Sequence, residues 1–230
     1  MVKFKVKNGN GIIPEGTTEI SHESFAGCED LERIEFPDSV MIIHACAFED
    51  CKSLKSIEFK GDIMIIGAEA FINCTNLTSV VFHKDVMKIE CYAFAGCTSL
   101  TNLEFRDGIM RIGSWAFKNC IGLSSIFIPY TVSDLRATAF DECTGIETIQ
   151  FEGWMICDMY WLIHAMMRAG EGGDGLGNYA HIRRGNLKKI LVPKGAEEFY
   201  RNQMMKTYEL MHDGDLDRKY ASLIEEATTR

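Results

Sequence analysis

Proline and tryptophan are scarce in this chain, at four and three of 230 residues. Long apolar runs are missing as well. The longest, Trp154 to Met167, is broken by Asp158 and His164 and falls short of the ~18 residues a membrane helix needs. Membrane insertion is therefore not expected. No apolar leader follows Met1, where the chain reads VKFKVKNGNG with alternating lysines. The expectation is a cytoplasmic protein, with secretion or cell-surface display after removal of a signal as the alternative. Positive charge is in deficit: 24 Lys and Arg stand against 33 Asp and Glu, a net charge of -9. That balance argues against nucleic acid and anionic membranes as partners. No bias toward disorder is present, since 47% of residues are hydrophobic and 25% charged. The length is ample for a buried core.

What is present is a repeat, the first feature to seek in a chain of this length. Phe25, Phe48, Phe71, Phe94, Phe117 and Phe140 lie 23 residues apart. Cysteine follows each by three residues, from Cys28 through Cys51, Cys74, Cys97 and Cys120 to Cys143. Three further on stand Leu31, Leu54, Leu77, Leu100, Leu123 and Ile146. Next come Ile34, Ile57, Val80, Leu103, Ile126 and Ile149, then Phe36, Phe59, Phe82, Phe105, Ile128 and Phe151. A second apolar pair precedes the next Phe: Val40 with Ile43, Ile63 with Ile66, Val86 with Ile89, Ile109 with Ile112, Val132 with Leu135. Pro14, Pro37 and Pro129 occupy one column, and Pro193 joins it if 18 residues are inserted between Phe151 and Leu187. One such unit cannot bury its own apolar side, so identical units must stack, with strands pairing in parallel at about 4.8 Å per rung.

The unit A-F-x-x-C-x-x-L-x-x-I-x-F-P-x-x-V-x-x-I, as in Ala47 through Gly67, resembles the BspA-type leucine-rich repeat family of bacterial and protist proteins. The resemblance runs from Ile12 to about Tyr200, where Leu187 to Tyr200 is similar to the family's terminal I-x-V-P-K-G-x-x-x-x-Y. It implies an α/β repeat solenoid: a right-handed superhelix of 23-residue units with short parallel strands and a helical C-terminal cap. It also implies a non-enzymatic binding role, as in members that display adhesin-like surfaces to host proteins, matrix or other bacteria. The chain divides into a cap and partial repeat over 1–24, six repeats over 25–151, an insertion over 152–186, and a last strand with cap over 187–230.

The ends have their own signals. Val2 to Lys7 alternates apolar and basic residues, which suits an edge strand, and Asn8-Gly9 marks a turn. Ala196 to Met211 reads as a helix with Phe199, Gln203 and Leu210 or Met211 toward the array. Asp215 to Ala227 reads as a second helix with Tyr220, Leu223 and Ile224 on its apolar face. Within the insertion, Ile156, Met159, Tyr160, Ile163 and Met167 have helical spacing, and Gly170 to Gly177 reads as a mobile loop.

Most polar motifs reduce to structure. The cysteine column is expected to be buried free thiols, because side chains aligned in a packed column seldom meet disulfide dihedrals. Cys46 with Cys51, and Cys91 with Cys97, are not spaced for zinc. Asp213, Asp215 and Asp217 lack the Gly and Glu of a calcium loop, since Arg218 and Ile224 stand there. No catalytic residue, cofactor or metal is expected. Two surface columns remain. Arg33, Glu35, Glu58, Val81, Glu104 and Phe127 project outward from the first strands. Met41, Met64, Met87 and Met110 follow the buried residue of the second strands, with Ile42 and Ile65 beside two of them. Methionine suits adaptable contact surfaces. These ten residues are the candidate partner-binding set, and the leading function is protein–protein interaction. One alternative is self-association into a homo-oligomer through the methionines. Another is an enzyme with its site in 152–186, around His164 and His181.

Overall fold

A computed structural model describes residues 4–105, 107–154, Leu162, 186–208 and 222–227. Each repeat supplies two strands, because each carries two short runs of apolar residues separated by turn-forming ones. The first runs form β4 (Arg33–Phe36), β6 (Ser56–Phe59), β8 (Ser79–Phe82), β10 (Asn102–Leu103), β12 (Ser125–Ile128) and β14 (Thr148–Phe151). The second runs form β3 (Glu19–Ile20), β5 (Ile42–Ile43), β7 (Ile63–Ile66), β9 (Val86–Ile89), β11 (Arg111–Ile112) and β13 (Asp134–Leu135). Pairing is parallel and one repeat out, as in Ile34 opposite Ile57 and Ile66 opposite Ile89. The second series makes one continuous sheet, β3-β5-β7-β9-β11-β13.

The third side of the coil has no regular secondary structure, yet its backbone is hydrogen-bonded from rung to rung. The amide of Phe71 donates to the carbonyl of Ala93 at 2.7 Å, and Phe94 to Ala116 at 2.7 Å. Two turn positions there have a left-handed backbone: Glu23, Cys46, Glu69, Tyr92 and Trp115 at φ of 54–59°, and, four residues on, a second column of six, Gly27, Asp50, Asn73, Gly96, Asn119 and Glu142, at φ of 55–75°. Four of the six in the second column are Gly or Asn, the residues that visit this region at least cost.

Between the three sides lies a core made of the repeated columns. Phe4, Phe25, Phe48, Phe71, Phe94, Phe117 and Phe140 form one stack with ring centroids 4.8–5.4 Å apart. Phe36, Phe59 and Phe82 form a second, meeting the first edge-on at Phe48 and Phe71. The eight described cysteines are free, and of the repeat column Cys51, Cys74, Cys97, Cys120 and Cys143 are buried as expected while Cys28 is partly buried. Each buried thiol donates back to a phenylalanine carbonyl, Cys51 to Phe25 at 3.0 Å and Cys97 to Phe71 at 3.3 Å. Burial pushes the Cys51 thiol up to about 12.

At the N-terminus β1 (Lys5–Lys7) and β2 (Asn10–Ile12) form an antiparallel hairpin. Its two-residue turn is Asn8-Gly9, both at positive φ, as a tight hairpin requires. At the other end β15 (Lys189–Val192) pairs with β14, placing Thr148 opposite Lys189, 41 residues on. The excess over the 23-residue repeat is the 18-residue insertion. The insertion's helix spacing and glycine loop, and the three aspartates, lie outside the described residues, except that Leu162 is buried. The helix α1 (Glu197–Tyr208) caps the stack. Phe199 packs partly buried against the core as expected, and Tyr200 beside it is the deeper anchor, fully buried against Phe151 with its hydroxyl donating to the Gly153 carbonyl.

The expected second cap helix is corrected over its last turn. Residues 224–226 form strand β16 (Ile224–Glu226), parallel to β15, and the rest of that stretch up to 221 lies outside the described residues. The physical reason is the open edge of β15. Ile224 sits opposite Ile190 in the same core column, and Ala227 donates to Val192 at 2.8 Å. One more rung satisfies backbone groups that a helix would leave to water.

Candidate binding surface

Alternation along the first strands turns Arg33, Glu35, Glu58, Val81, Glu104 and Phe127 away from the core. The structure brings only part of this set into one ladder. Glu35 stands opposite Glu58, and Glu58 opposite Val81. Two like charges facing each other on a sheet repel, and neighbours compensate. Lys60 holds Glu35 at 2.8 Å, and His83 lies 3.7 Å from Glu58. The hydrogen bond from Lys60 and its charge hold the Glu35 carboxyl below its ordinary range and raise the lysine in return. Arg33 donates to Asn10 at 3.2 Å.

Glu104 and Phe127 stand apart from that ladder. The first sheet ends at β10, and β12 begins another of order β12-β14-β15-β16. Glu104 is exposed just past the end of β10, and Phe127 pairs with Gln150 in the next sheet. The reason is local. Residues 102–105 read Asn-Leu-Glu-Phe, without the branched Ile or Val that other rungs have in the inward column, so the strand is short.

The methionines are the better-formed column. Met41, Met64, Met87 and Met110 are 39–45% exposed, so their side chains do not fold back into the core. The Met64 amide donates to the Met41 carbonyl at 2.8 Å, and Met110 to Met87 at 2.9 Å. Neighbouring thioethers are thus carried on adjacent rungs at the same level. Ile42 and Ile65, partly buried, extend the apolar surface beside the first two. The neighbouring outward positions vary between rungs, as in Ile42, Ile65, Lys88 and Arg111, whereas the methionine position is uniform.

One feature of this face escapes the column arithmetic. Asp62 and Asp85 lie two residues before their methionines, Asp38 and Asp107 three before theirs, so no single 23-residue column contains all four. All four carboxylates are exposed. The signal available in the sequence was an Asp ahead of every exposed Met. Among the described residues no group of His, Cys, Asp or Glu is arranged to hold a metal ion, and no helix is long and apolar enough to cross a membrane.

Comparison with known proteins follows the same repeat. The profile of the BspA type leucine rich repeat region matches in six copies, over residues 5–89 and 64–156. No curated protein matches. Several solved structures are similar. A leucine rich cell surface protein of Faecalibacterium prausnitzii is 24% identical, covering 59% of this chain and 43% of its own, with a TM-score of 0.45. A leucine rich repeat protein of T. pallidum is 24% identical, covering 52% of this chain and 58% of its own, with a TM-score of 0.48. A leucine-rich repeat protein of Bacteroides ovatus is 19% identical over 94% of this chain and 59% of its own, with a TM-score of 0.44. The match takes in less than two thirds of each of these chains.

Proposed function

The chain belongs to the BspA-type leucine-rich repeat family, whose repeats commonly mediate protein interaction, and from that premise we propose that it is a non-enzymatic protein-binding module. The observation that supports this most is the row of four half-exposed methionines at one level of four paired strands. A soluble protein gains nothing in folding by leaving such a row in water, and a contiguous apolar surface marks a contact site. The frame beneath it is hydrogen-bonded on every side, so little ordering cost is incurred on binding. The first-strand ladder of Arg33, Glu35, Glu58 and Val81 is the second candidate surface, with Glu104 and Phe127 beyond its end.

Affinity capture from a matched lysate and surface fraction tests the reading. Baits are the wild type, Met64→Ser/Met87→Ser and Glu35→Lys/Glu58→Lys/Glu104→Lys, each checked for folding. A protein held by the wild type and lost by one folded variant supports the module and assigns its face. No capture by any bait contradicts it. Self-association through the methionines is the competing reading, supported by the same exposure. Light scattering over a range of concentrations separates the two, since a strict monomer removes it. We further propose a reducing, cytoplasmic compartment on the strength of the buried, unpaired thiols. Thiol titration in denaturant without reductant should find all nine cysteines reactive; missing pairs would point to the secreted or surface alternative.

A further inference from the structure

Beside the methionine row runs a row of exposed carboxylates. Asp38, Asp62, Asp85 and Asp107 precede Met41, Met64, Met87 and Met110 by two or three residues. They are stacked along the coil. The Asp85 amide donates to the Asp62 carboxylate at 3.3 Å, and the Asp85 carboxylate lies over Gly108, whose added Cβ would meet it at 2.8 Å. Among the described residues none of the four forms an ion pair. Carboxylates elsewhere on the rungs do: Glu32 with Lys55 at 2.9 Å, Glu35 with Lys60 at 2.8 Å, Glu147 with Lys188 at 2.8 Å. Arg111, one residue after Met110, is taken by Asp134 at 3.4 Å and Glu90 at 3.9 Å. Lys84 and Lys88 are further cations here, and Lys60 feels the charge of Asp38 while it is bonded to Glu35 at 2.8 Å; Arg106 lies outside the described residues.

An exposed apolar row with a row of carboxylates beside it that form no ion pair among the described residues is complementary to one kind of chain. We propose that this sheet docks an amphipathic helix whose apolar stripe is flanked by Lys or Arg, laid along the coil across the rungs. The inference rests on the protein-binding reading and names its partner's chemistry. The rung spacing of about 4.8 Å lies close to the helical pitch of about 5.4 Å, so each turn sets one apolar side chain over one rung. The basic residues beside that stripe then reach the aspartates. Methionine is the side chain that adapts to the small mismatch between the two pitches.

The test uses the full chain and a fluorescent Leu/Lys peptide of about 14 residues, patterned with one apolar helical face. Its Leu/Glu counterpart, with the same apolar face, is the control. Anisotropy should show saturable binding of the Leu/Lys peptide, weakened by salt, and at least tenfold weaker binding of Leu/Glu. Met64→Ser/Met87→Ser and Asp62→Asn/Asp85→Asn should each weaken binding at least tenfold, and the latter should also flatten the salt dependence. Glu35→Gln/Glu58→Gln should change it less than twofold. All substituted positions are solvent-facing, and thermal melting confirms each variant's fold. Binding that is absent, insensitive to the methionine pair, or lost equally with the Glu35 pair would overturn the proposal. Dimerisation that the methionine pair abolishes would overturn it too, assigning the face to a second copy. A protein captured through the Glu35 face alone would leave the binding module standing while this inference fell.

Discussion

The phenyl ring of Phe94 is stacked between those of Phe71 and Phe117, at 5.0 and 5.3 Å, with no solvent exposure. Removing it leaves a cavity that two flat rings cannot close, so Phe94→Ala should cost on the order of 3–5 kcal/mol; denaturant unfolding measures it. The thiols set a limit at high pH. Burial raises Cys51, Cys74, Cys97 and Cys120 above the ordinary value of 9.0. The folded state therefore keeps protons that the unfolded state releases. Their contribution is whole below about pH 8 and is lost as pH rises through 9 toward and beyond 12. Urea midpoints measured from pH 7 to 11 should fall, and replacing Cys97 by Ala should blunt the fall. Of the two left-handed turn positions, the one from Gly27 to Glu142 was readable, since Gly and Asn recur there at the repeat interval, and the one from Glu23 to Trp115 was not, since its residues are Glu, Cys, Tyr and Trp. The row of aspartates was not, because its members shift by one residue between rungs.

Elements in this fold exist because a neighbouring rung exists. Gly145 shows how tightly they are packed: a Cβ there would run into the Ile121 carbonyl and stand 2.8 Å from that of Leu123. Gly145→Ala must push two rungs apart and should destabilise by about 1–3 kcal/mol, the cost of overpacking, seen as a lower melting temperature. The cap depends on Tyr200, and Tyr200→Ala should cost about 3–5 kcal/mol and loosen α1 first, which circular dichroism during unfolding would register. The repeated strands were legible because each column is apolar in every copy. The last strand, β16, was not. Its sequence, Ile-Glu-Glu within Asp215 to Ala227, has helical spacing of apolar residues, and only the free edge of β15 makes it a rung. Tertiary pairing overrides local preference there, whereas at β10 local preference prevails and Leu103 lets the strand end early.

For the molecule as a whole, stacking makes stability a sum over neighbours, and the exposed rows inherit whatever rigidity the stack has. The family and the solenoid could be inferred from spacing alone, because a 23-residue period in so many columns admits no other economical burial. The binding face is a matter of combination: methionines from one position and aspartates from another meet only once the rungs are laid down. The account's central claim is that this face is already formed in the free protein. Native-state hydrogen exchange at residue resolution tests it most directly. The amides of Met64 and Met110, bonded to the previous rung, should exchange only with global unfolding, with protection matching that of Phe71 and Phe94 in the core. Fast exchange at the methionines beside slow exchange at the phenylalanines would mean that the second sheet is not a preformed surface, and would contradict the account.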